Sequence, residues 1–199
     1  YVELRSIDVN AFDPHGINSE QLHFLEVFML FCLLHASPVL TRGEIDAIDE
    51  NLLLVAHQGR KPGLDLHRAN FEQKMEKISL QDWASELCYR MKGVASLLDQ
   101  ANYCENYFSS VKSQIAAVFD AGLTPSARML AEMEANDVGF YDYAKRMSKR
   151  NYRYYKNHAL SKDKISFFEE LAQQSLAKQK QIEESDSISF DEYLENYFN

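Results

Sequence analysis

The chain opens with Tyr1-Val2-Glu3-Leu4-Arg5-Ser6-Ile7-Asp8-Val9, a stretch in which aliphatic and β-branched residues alternate with polar ones. This alternation is typical of a β-strand, and it stops at residues 10–16, which are rich in loop formers. Because side chains alternate across a strand, Glu3 and Arg5 share one face, with Cα atoms about 7 Å apart. A single strand cannot form a sheet, so this one is predicted to need partners from elsewhere.

Two interpretations of Glu3 and Arg5 follow from their chemistry. A carboxylate can bind a hard cation such as Mg²⁺, and a neighbouring guanidinium can fork onto a phosphate, which together suit a metal–phosphate site. Alternatively, the two residues form a solvated edge or a cross-strand ion pair, as charged pairs in strands often do. The residue types alone leave both interpretations open.

The same residues resemble a known family. Residues 1–6, followed by Asp8, Asn10, Phe12, Pro14 and Gly16, are similar to the central strand and following loop of bacterial glutamate–cysteine ligase (γ-glutamylcysteine synthetase). Further segments that resemble this family are 24–29, the basic loop 59–64, the helix start 123–128 and the last turn 190–194. Ala11 departs from the family pattern, which often has proline there, and residues 65–81 and 139–187 show little similarity.

The resemblance implies an ATP-dependent ligase with an active site like that of glutamine synthetase. Such an enzyme phosphorylates the γ-carboxylate of L-glutamate, and the amine of L-cysteine then displaces the phosphate. Carried over by position, Glu3 is a ligand of Mg²⁺ (or Mn²⁺) in the ATP site, and Arg5 contacts the transferring phosphate as a catalytic residue. Arg60 and Lys61 precede Pro-Gly in a rigid basic loop that can meet ATP or a substrate carboxylate; the alternative is a solvated turn.

The resemblance also predicts the architecture. The fold class is mainly α: residues 1–16 are the strand and loop of a larger active-site sheet, and residues 17–199 form a helical domain. Because residue 1 is not methionine and lies inside the predicted strand, we expect the C-terminal portion of a longer ligase. Its partner is then the N-terminal catalytic portion of the same protein. The fragment alone is expected to be inactive, because Mg²⁺ requires more oxygen ligands than Glu3 supplies.

Composition narrows the class of protein further. The 199 residues are 46% hydrophobic, enough for a domain of ordinary size, and carry a net charge of −9. This charge argues against nucleic-acid binding and against binding to anionic membranes. Three cysteines without C-x-x-C spacing indicate reduced thiols in the cytoplasm, with Cys32 expected in the core.

The remainder of the chain is predicted to be helical. The helix from Ser19 to about His35 is apolar nearly all round, and we expect it to be buried on most sides beneath the sheet. Residues 65–77 are weakly patterned and are predicted to be an irregular connection. Further helices are predicted from capping residues and apolar spacing, with starts near residues 41, 79, 124, 140 and 189. Another is predicted after a break near residues 101–102, and the last long helix has its apolar stripe between residues 165 and 176.

One predicted helix, residues 140–158, interleaves cations with tyrosines. Such interleaving can bind nucleic acid, but the acidic total charge argues against it. A packed helix face also fits the pattern, with the cations on the solvent side; its residues are Phe140, Tyr143, Met147, Tyr154 and His158. We expect this helix to dock the acidic remainder of the enzyme. Motifs of serine hydrolases, zinc peptidases and P-loop nucleotide binding are absent. The alternative function is therefore a non-catalytic helical interaction module whose first strand pairs with a partner's sheet.

Overall fold

The computed structural model describes residues 3–5, 7–70 and 72–198, and about 70% of the protein is helical. The mainly α class is therefore confirmed. The elements in this part of the chain are α1 (Ser19–Leu34), α2 (Arg42–Gln58), β1 (Asp65–Ala69), β2 (Met75–Ser79), α3 (Leu80–Asn102), α4 (Asn106–Phe119), a 3₁₀ turn (Ala121–Leu123), α5 (Pro125–Ala135), α6 (Phe140–Asn157), α7 (Lys162–Ser185) and α8 (Phe190–Phe198).

The chain divides into two compact units, residues 1–150 and residues 151–199. The core of the first unit lies where α1, α3 and α4 pack together. Helix α3 contributes residues at helical spacing to this core, because one face of an amphipathic helix is apolar. The buried residues of this three-helix core are Val27, Cys88, Met91, Ala95, Tyr107 and Val111.

Several helices begin where the sequence predicts, because their caps are local. Helix α1 has a reciprocal capping box between Asn18 and Gln21, and α2 has one between Thr41 and Glu44. Ser79 accepts a hydrogen bond from the backbone N–H of Asp82 at the start of α3. These side chains satisfy backbone N–H groups that a helix leaves without partners at its first turn.

Helix α4 is capped differently. Glu105 precedes it, but its side chain makes no capping hydrogen bond. The carboxylate of Asp99, near the end of α3, instead accepts hydrogen bonds from the backbone N–H groups of Tyr107 and Phe108, each at 2.9 Å. Asp99 is buried and therefore joins the end of one core helix to the start of the next.

The expectation that residues 65–77 are irregular is wrong. Strands β1 and β2 pair in antiparallel register as a two-stranded hairpin, with Leu66 opposite Ile78 and Arg68 opposite Glu76. Leu66 is buried, and the side chain of Asn51 on α2 both donates to and accepts from the backbone of β1. The hairpin is stable here because α2 supplies the packing and the hydrogen bonds that two strands alone lack.

Two expectations about α1 are not met within the described chain. Helix α1 packs on α3 and α4 through one face only, with Val27 fully buried, whereas Leu22, Met29 and Leu33 on the opposite face are exposed. Cys32 is exposed rather than in the core, and Cys88 is the buried thiol. The described part of the chain thus covers one side of α1 and leaves an apolar outer side uncovered.

In the second unit, Ser161 caps α7: its side chain accepts a hydrogen bond from the backbone N–H of Lys164. The apolar side chains of α7 and α8 are mostly exposed. None of the helices described for residues 3–198 is both long enough and apolar enough to cross a membrane.

Candidate functional site

The structure brings Glu3 and Arg5 together, as their spacing predicts. Arg5 Nη2 lies 2.9 Å from Glu3 Oε2, and the side chains are 82% (Arg5) and 49% (Glu3) exposed. An exposed ion pair of this kind contributes only about 0–1 kcal/mol to stability. Both charged groups are accessible, so the pair offers a hard oxygen ligand and a phosphate-binding fork side by side.

The described residues before Asn10 are not paired in a sheet with any other described residue. Leu4, Ile7 and Val9 expose apolar side chains, and Val9 is 81% exposed. Pairing of this stretch with strands outside the described chain therefore stays a prediction.

A closed loop follows this stretch. The backbone N–H of Asn10 donates to the carbonyl of Gly16 at 2.7 Å, and the buried Asn10 side chain accepts from the N–H of Phe12 at 3.0 Å. Asn10 Nδ2 also donates to Gln21 Oε1 at 2.8 Å, which ties the loop to the first turn of α1. Gly16 has φ +76°, in the left-handed region that favours glycine.

Within the loop, Asp13 accepts two hydrogen bonds from His15, one from its backbone N–H at 2.8 Å and one from its ring. The backbone hydrogen bond is the main cause that holds the pKa of Asp13 below its ordinary value. Asp13 therefore carries its negative charge at neutral pH and holds the loop through an acceptor that is always ionised there.

Two arginines from distant helices contact the same loop. Arg150 Nη2 on α6 donates to the carbonyl of Ala11 at 2.7 Å, and Arg128 Cζ on α5 lies 4.1 Å from the centre of the Phe12 ring. The first is a hydrogen bond from a charged donor, and the second is a cation–π contact. The sequence places Arg150 among the cations of the basic helix 140–158 and Arg128 at the end of the family-like segment 123–128. Neither position predicts a contact with this loop.

Tyr143 on α6 is a buried residue that lies near these arginines. It is 1% exposed, and Arg146 lies over its ring with Cζ 5.4 Å from the ring centre while Nη2 pairs with Glu132 at 3.3 Å. Burial raises the pKa of the Tyr143 hydroxyl, and the charges of Arg150, Arg146 and Arg128 oppose that shift in part. The arginines on α5 and α6 thus surround a neutral, buried phenol.

Arg60 and Lys61 lie in the turn after α2, with exposed side chains. Lys61 Nζ is 3.4 Å from Gln58 Oε1, a local contact within the turn. Gly63, with φ +69°, follows in the left-handed region and ends the turn. Their participation in a nucleotide site stays a prediction.

The basic helix α6 pairs its own cations with its own aromatic rings. Lys145 lies over Tyr141 and Lys156 over Tyr152, each four residues along the helix. Tyr143 and Met147 form its buried face, as predicted, whereas Phe140 and Tyr154 are exposed, contrary to the expectation.

Among the residues that the structure describes, no group of three or more histidine, cysteine, aspartate or glutamate side chains is placed to hold a metal ion. Glu3 therefore fits Mg²⁺ as one oxygen ligand only, whereas Mg²⁺ requires six. Any metal site at Glu3 needs oxygen ligands from other groups.

Comparison with known proteins finds glutamate–cysteine ligases that are similar to this chain along nearly its whole length. A family model described as glutamate–cysteine ligase matches residues 1–55, the segment that holds Glu3, Arg5 and the closed loop. The curated glutamate–cysteine ligase of Pseudomonas putida is 41% identical over 197 residues, 99% of this chain and 37% of that protein. The corresponding enzyme of Pseudomonas fluorescens is 36% identical over 99% of the chain and 36% of its own length.

The structural comparison agrees. A crystal structure of glutamate–cysteine ligase from Francisella tularensis in complex with AMP has a TM-score of 0.83 and 29% identity, covering 98% of this chain and 37% of that one. The chain is therefore similar in sequence and fold to a segment of these glutamate–cysteine ligases. The resemblance to glutamate–cysteine ligase is confirmed, and the chain spans just over a third of the length of these relatives.

Proposed function

We propose that this chain forms part of an ATP-dependent ligase that joins the γ-carboxylate of L-glutamate to the amine of L-cysteine through γ-glutamyl phosphate. The observation that carries the proposal is similarity to glutamate–cysteine ligases along 99% of the chain, including the segment that holds the Glu3–Arg5 pair. The bound AMP of the Francisella tularensis relative supports ATP as the co-substrate.

In this proposal Glu3 contributes one carboxylate to Mg²⁺, and Arg5 directs its guanidinium to the phosphate that is transferred. Mg²⁺ with ATP, when bound, supplies the phosphoryl group and neutralises charge on its oxygens. Phosphoryl transfer depends mainly on positioning and on cations near the phosphate oxygens, so two opposite charges 2.9 Å apart suit a point where metal and phosphate meet.

The proposal extends to the basic turn, the exposed apolar faces and the cysteines. Arg60 and Lys61 add positive charge to the nucleotide site, from an exposed turn that a phosphate can reach. The exposed apolar side chains of Leu4, Ile7 and Val9 and the exposed face of α1 are covered by the N-terminal catalytic portion of the same protein. Without that portion the fragment is inactive. The three free cysteines are consistent with a cytoplasmic location.

The test is steady-state ADP release by the intact protein that contains this sequence, with Mg²⁺, ATP, glutamate and cysteine. We expect Glu3→Gln and Arg5→Ala to lower kcat/KM at least about 100-fold while the free energy of unfolding changes by less than about 1 kcal/mol. The matched control is Glu72→Gln, because Glu72 forms an exposed ion pair with Lys74, also two residues away, at 2.7 Å.

A second candidate function is the non-catalytic interaction module. The exposed apolar side chains of Leu4, Ile7 and Val9 favour it, since a strand that pairs with a partner's sheet presents such a surface. In that case the wild-type protein releases no amine-dependent ADP. If Glu3→Gln instead turns over as fast as Glu72→Gln, the ligase function stands but Glu3 is not a ligand of its metal ion.

A further inference from the structure

The loop after the Glu3–Arg5 stretch is held by residues from the far end of the first unit. Ala11 and Arg150 are 139 positions apart in sequence and share a 2.7 Å hydrogen bond. Arg128 covers the ring of the next residue, Phe12. Both contacts therefore fix consecutive loop residues onto α5 and α6.

Hydrogen bonds within the loop 10–16 link the positions of Ala11 and Phe12 to that of Asn10. The ends of the loop are closed by the hydrogen bond between Asn10 and Gly16, and a second hydrogen bond, from the N–H of Asp13 to the carbonyl of Asn10 at 3.2 Å, braces its interior. The side chain of Asn10 is shared between Phe12 and Gln21. A displacement of Ala11 or Phe12 consequently moves Asn10, and Asn10 ends the stretch that carries Glu3 and Arg5.

A small tilt of the loop can displace Arg5 by a larger distance, because Arg5 lies several residues away from it. Arg5 precedes Asn10 by five positions, which allows a separation of up to about 17 Å at 3.4 Å per residue of strand. A tilt of about 5° at the loop then moves Arg5 by about 1.5 Å, and a misplacement of about 1 Å can lower a rate about 100-fold. Contacts at Ala11 and Phe12 can therefore decide where the two charged groups lie.

We propose that Arg150 and Arg128 are positioning residues: they clamp the loop 10–16 and thereby set the position of Glu3 and Arg5. This inference rests on the proposed ligase function for its kinetic consequence, but not for the clamp itself. Neither arginine touches substrate in this proposal. Their effect passes through the backbone of Ala11 and the ring of Phe12.

The experiment compares the intact wild-type protein with Arg150→Ala, Arg150→Lys and Arg128→Ala. The matched control is Arg153→Ala, which removes an exposed arginine from the same helix α6. Hydrogen exchange of peptides covering residues 7–16, read by mass spectrometry, reports the clamp without requiring activity. Steady-state kinetics with ATP, glutamate and cysteine report the positioning.

We expect exchange in residues 7–16 to quicken about tenfold in Arg150→Ala and less in Arg128→Ala, with no change in Arg153→Ala. We expect kcat to fall about 10- to 100-fold in Arg150→Ala while KM for ATP changes less than about threefold, because placement and not binding is lost. Arg150→Lys should recover part of kcat, since an ammonium can also donate to the carbonyl of Ala11.

The exchange data test the clamp, and the kinetic data test the positioning role. Unchanged exchange in Arg150→Ala overturns the clamp. Faster exchange with unchanged kcat overturns the positioning role, as does a fall in melting temperature with full kcat in the folded protein. A wild type that releases no ADP refutes the proposed function and with it the positioning role, whereas the exchange data still decide whether Arg150 holds the loop.

Discussion

Replacing Asp99 with alanine should destabilise the first unit strongly. Asp99 is 9% exposed, and its two oxygens accept the backbone N–H groups of Tyr107 and Phe108 at 2.9 Å each. Loss of a helix cap costs about 0.5–2 kcal/mol, and each buried polar group left without a partner costs about 1–3 kcal/mol. Because these costs overlap, we expect Asp99→Ala to lower the free energy of unfolding by about 3 kcal/mol.

The assay is urea unfolding followed by far-ultraviolet circular dichroism and by the fluorescence of Trp83. Asp99→Asn keeps one acceptor oxygen, so it should lose about half as much, near 1.5 kcal/mol. The control is Glu105→Ala, which changes the residue directly before α4 and should cost less than about 0.5 kcal/mol. Equal losses in Asp99→Ala and Glu105→Ala, or a loss below about 1 kcal/mol in Asp99→Ala, would refute the capping role.

Two further predictions concern thiols and pH. Cys32 is exposed, whereas burial raises the pKa of the Cys88 thiol. Iodoacetamide should therefore label Cys32 in the native protein and Cys88 only after unfolding, measured by mass spectrometry of timed samples. Early labelling of Cys88 would contradict the packing. Hydrogen bonds from Thr41, first that of its backbone N–H, hold the pKa of Glu44 below its ordinary value, so its stabilising effect is present at neutral pH and is lost as the pH falls through that lowered pKa. The melting temperature of the wild type should therefore exceed that of Glu44→Gln at pH 7 and approach it in acid, and a difference that grows in acid would contradict this reasoning.

The helix starts could be predicted because their information is local. In the capping box of α2, Thr41 and Glu44 are three residues apart, and the physics that joins them needs no tertiary contact. Asp99 lies outside this rule. It caps a helix that begins seven residues after it, across a turn, so no spacing in the sequence marks it as a cap.

The hairpin escaped prediction for a physical reason. Leu66 is the only buried residue of β1, and the same strand carries the charged residues Asp65 and Arg68. The strand depends on Asn51, which reaches β1 from α2 sixteen positions earlier and bonds both backbone groups of His67. Propensity measured along five residues cannot register a contact of that range.

Helix α1 shows the opposite failure. Its sequence is apolar on nearly every side, which indicates burial but does not identify the elements that provide it. Within the described chain α3 and α4 cover the face of Val27, while Leu33 is 77% exposed on the other side. Periodicity therefore predicted the helix correctly and misplaced Cys32, because the position of a residue on an all-apolar helix is decided by neighbours far away in sequence.

The Glu3–Arg5 pair combines a predictable local geometry with long-range contacts that the sequence did not reveal. Its geometry was predictable, since two residues of extended chain place both side chains on one face. Its exposure means that the pair adds at most about 1 kcal/mol to stability. Yet the loop directly after this stretch is held by Gln21, Arg128 and Arg150, contacts that stabilise one placement of the chain and not another. A weakly stabilising pair next to a firmly anchored loop is the arrangement expected where position, and not stability, is what the two charges supply.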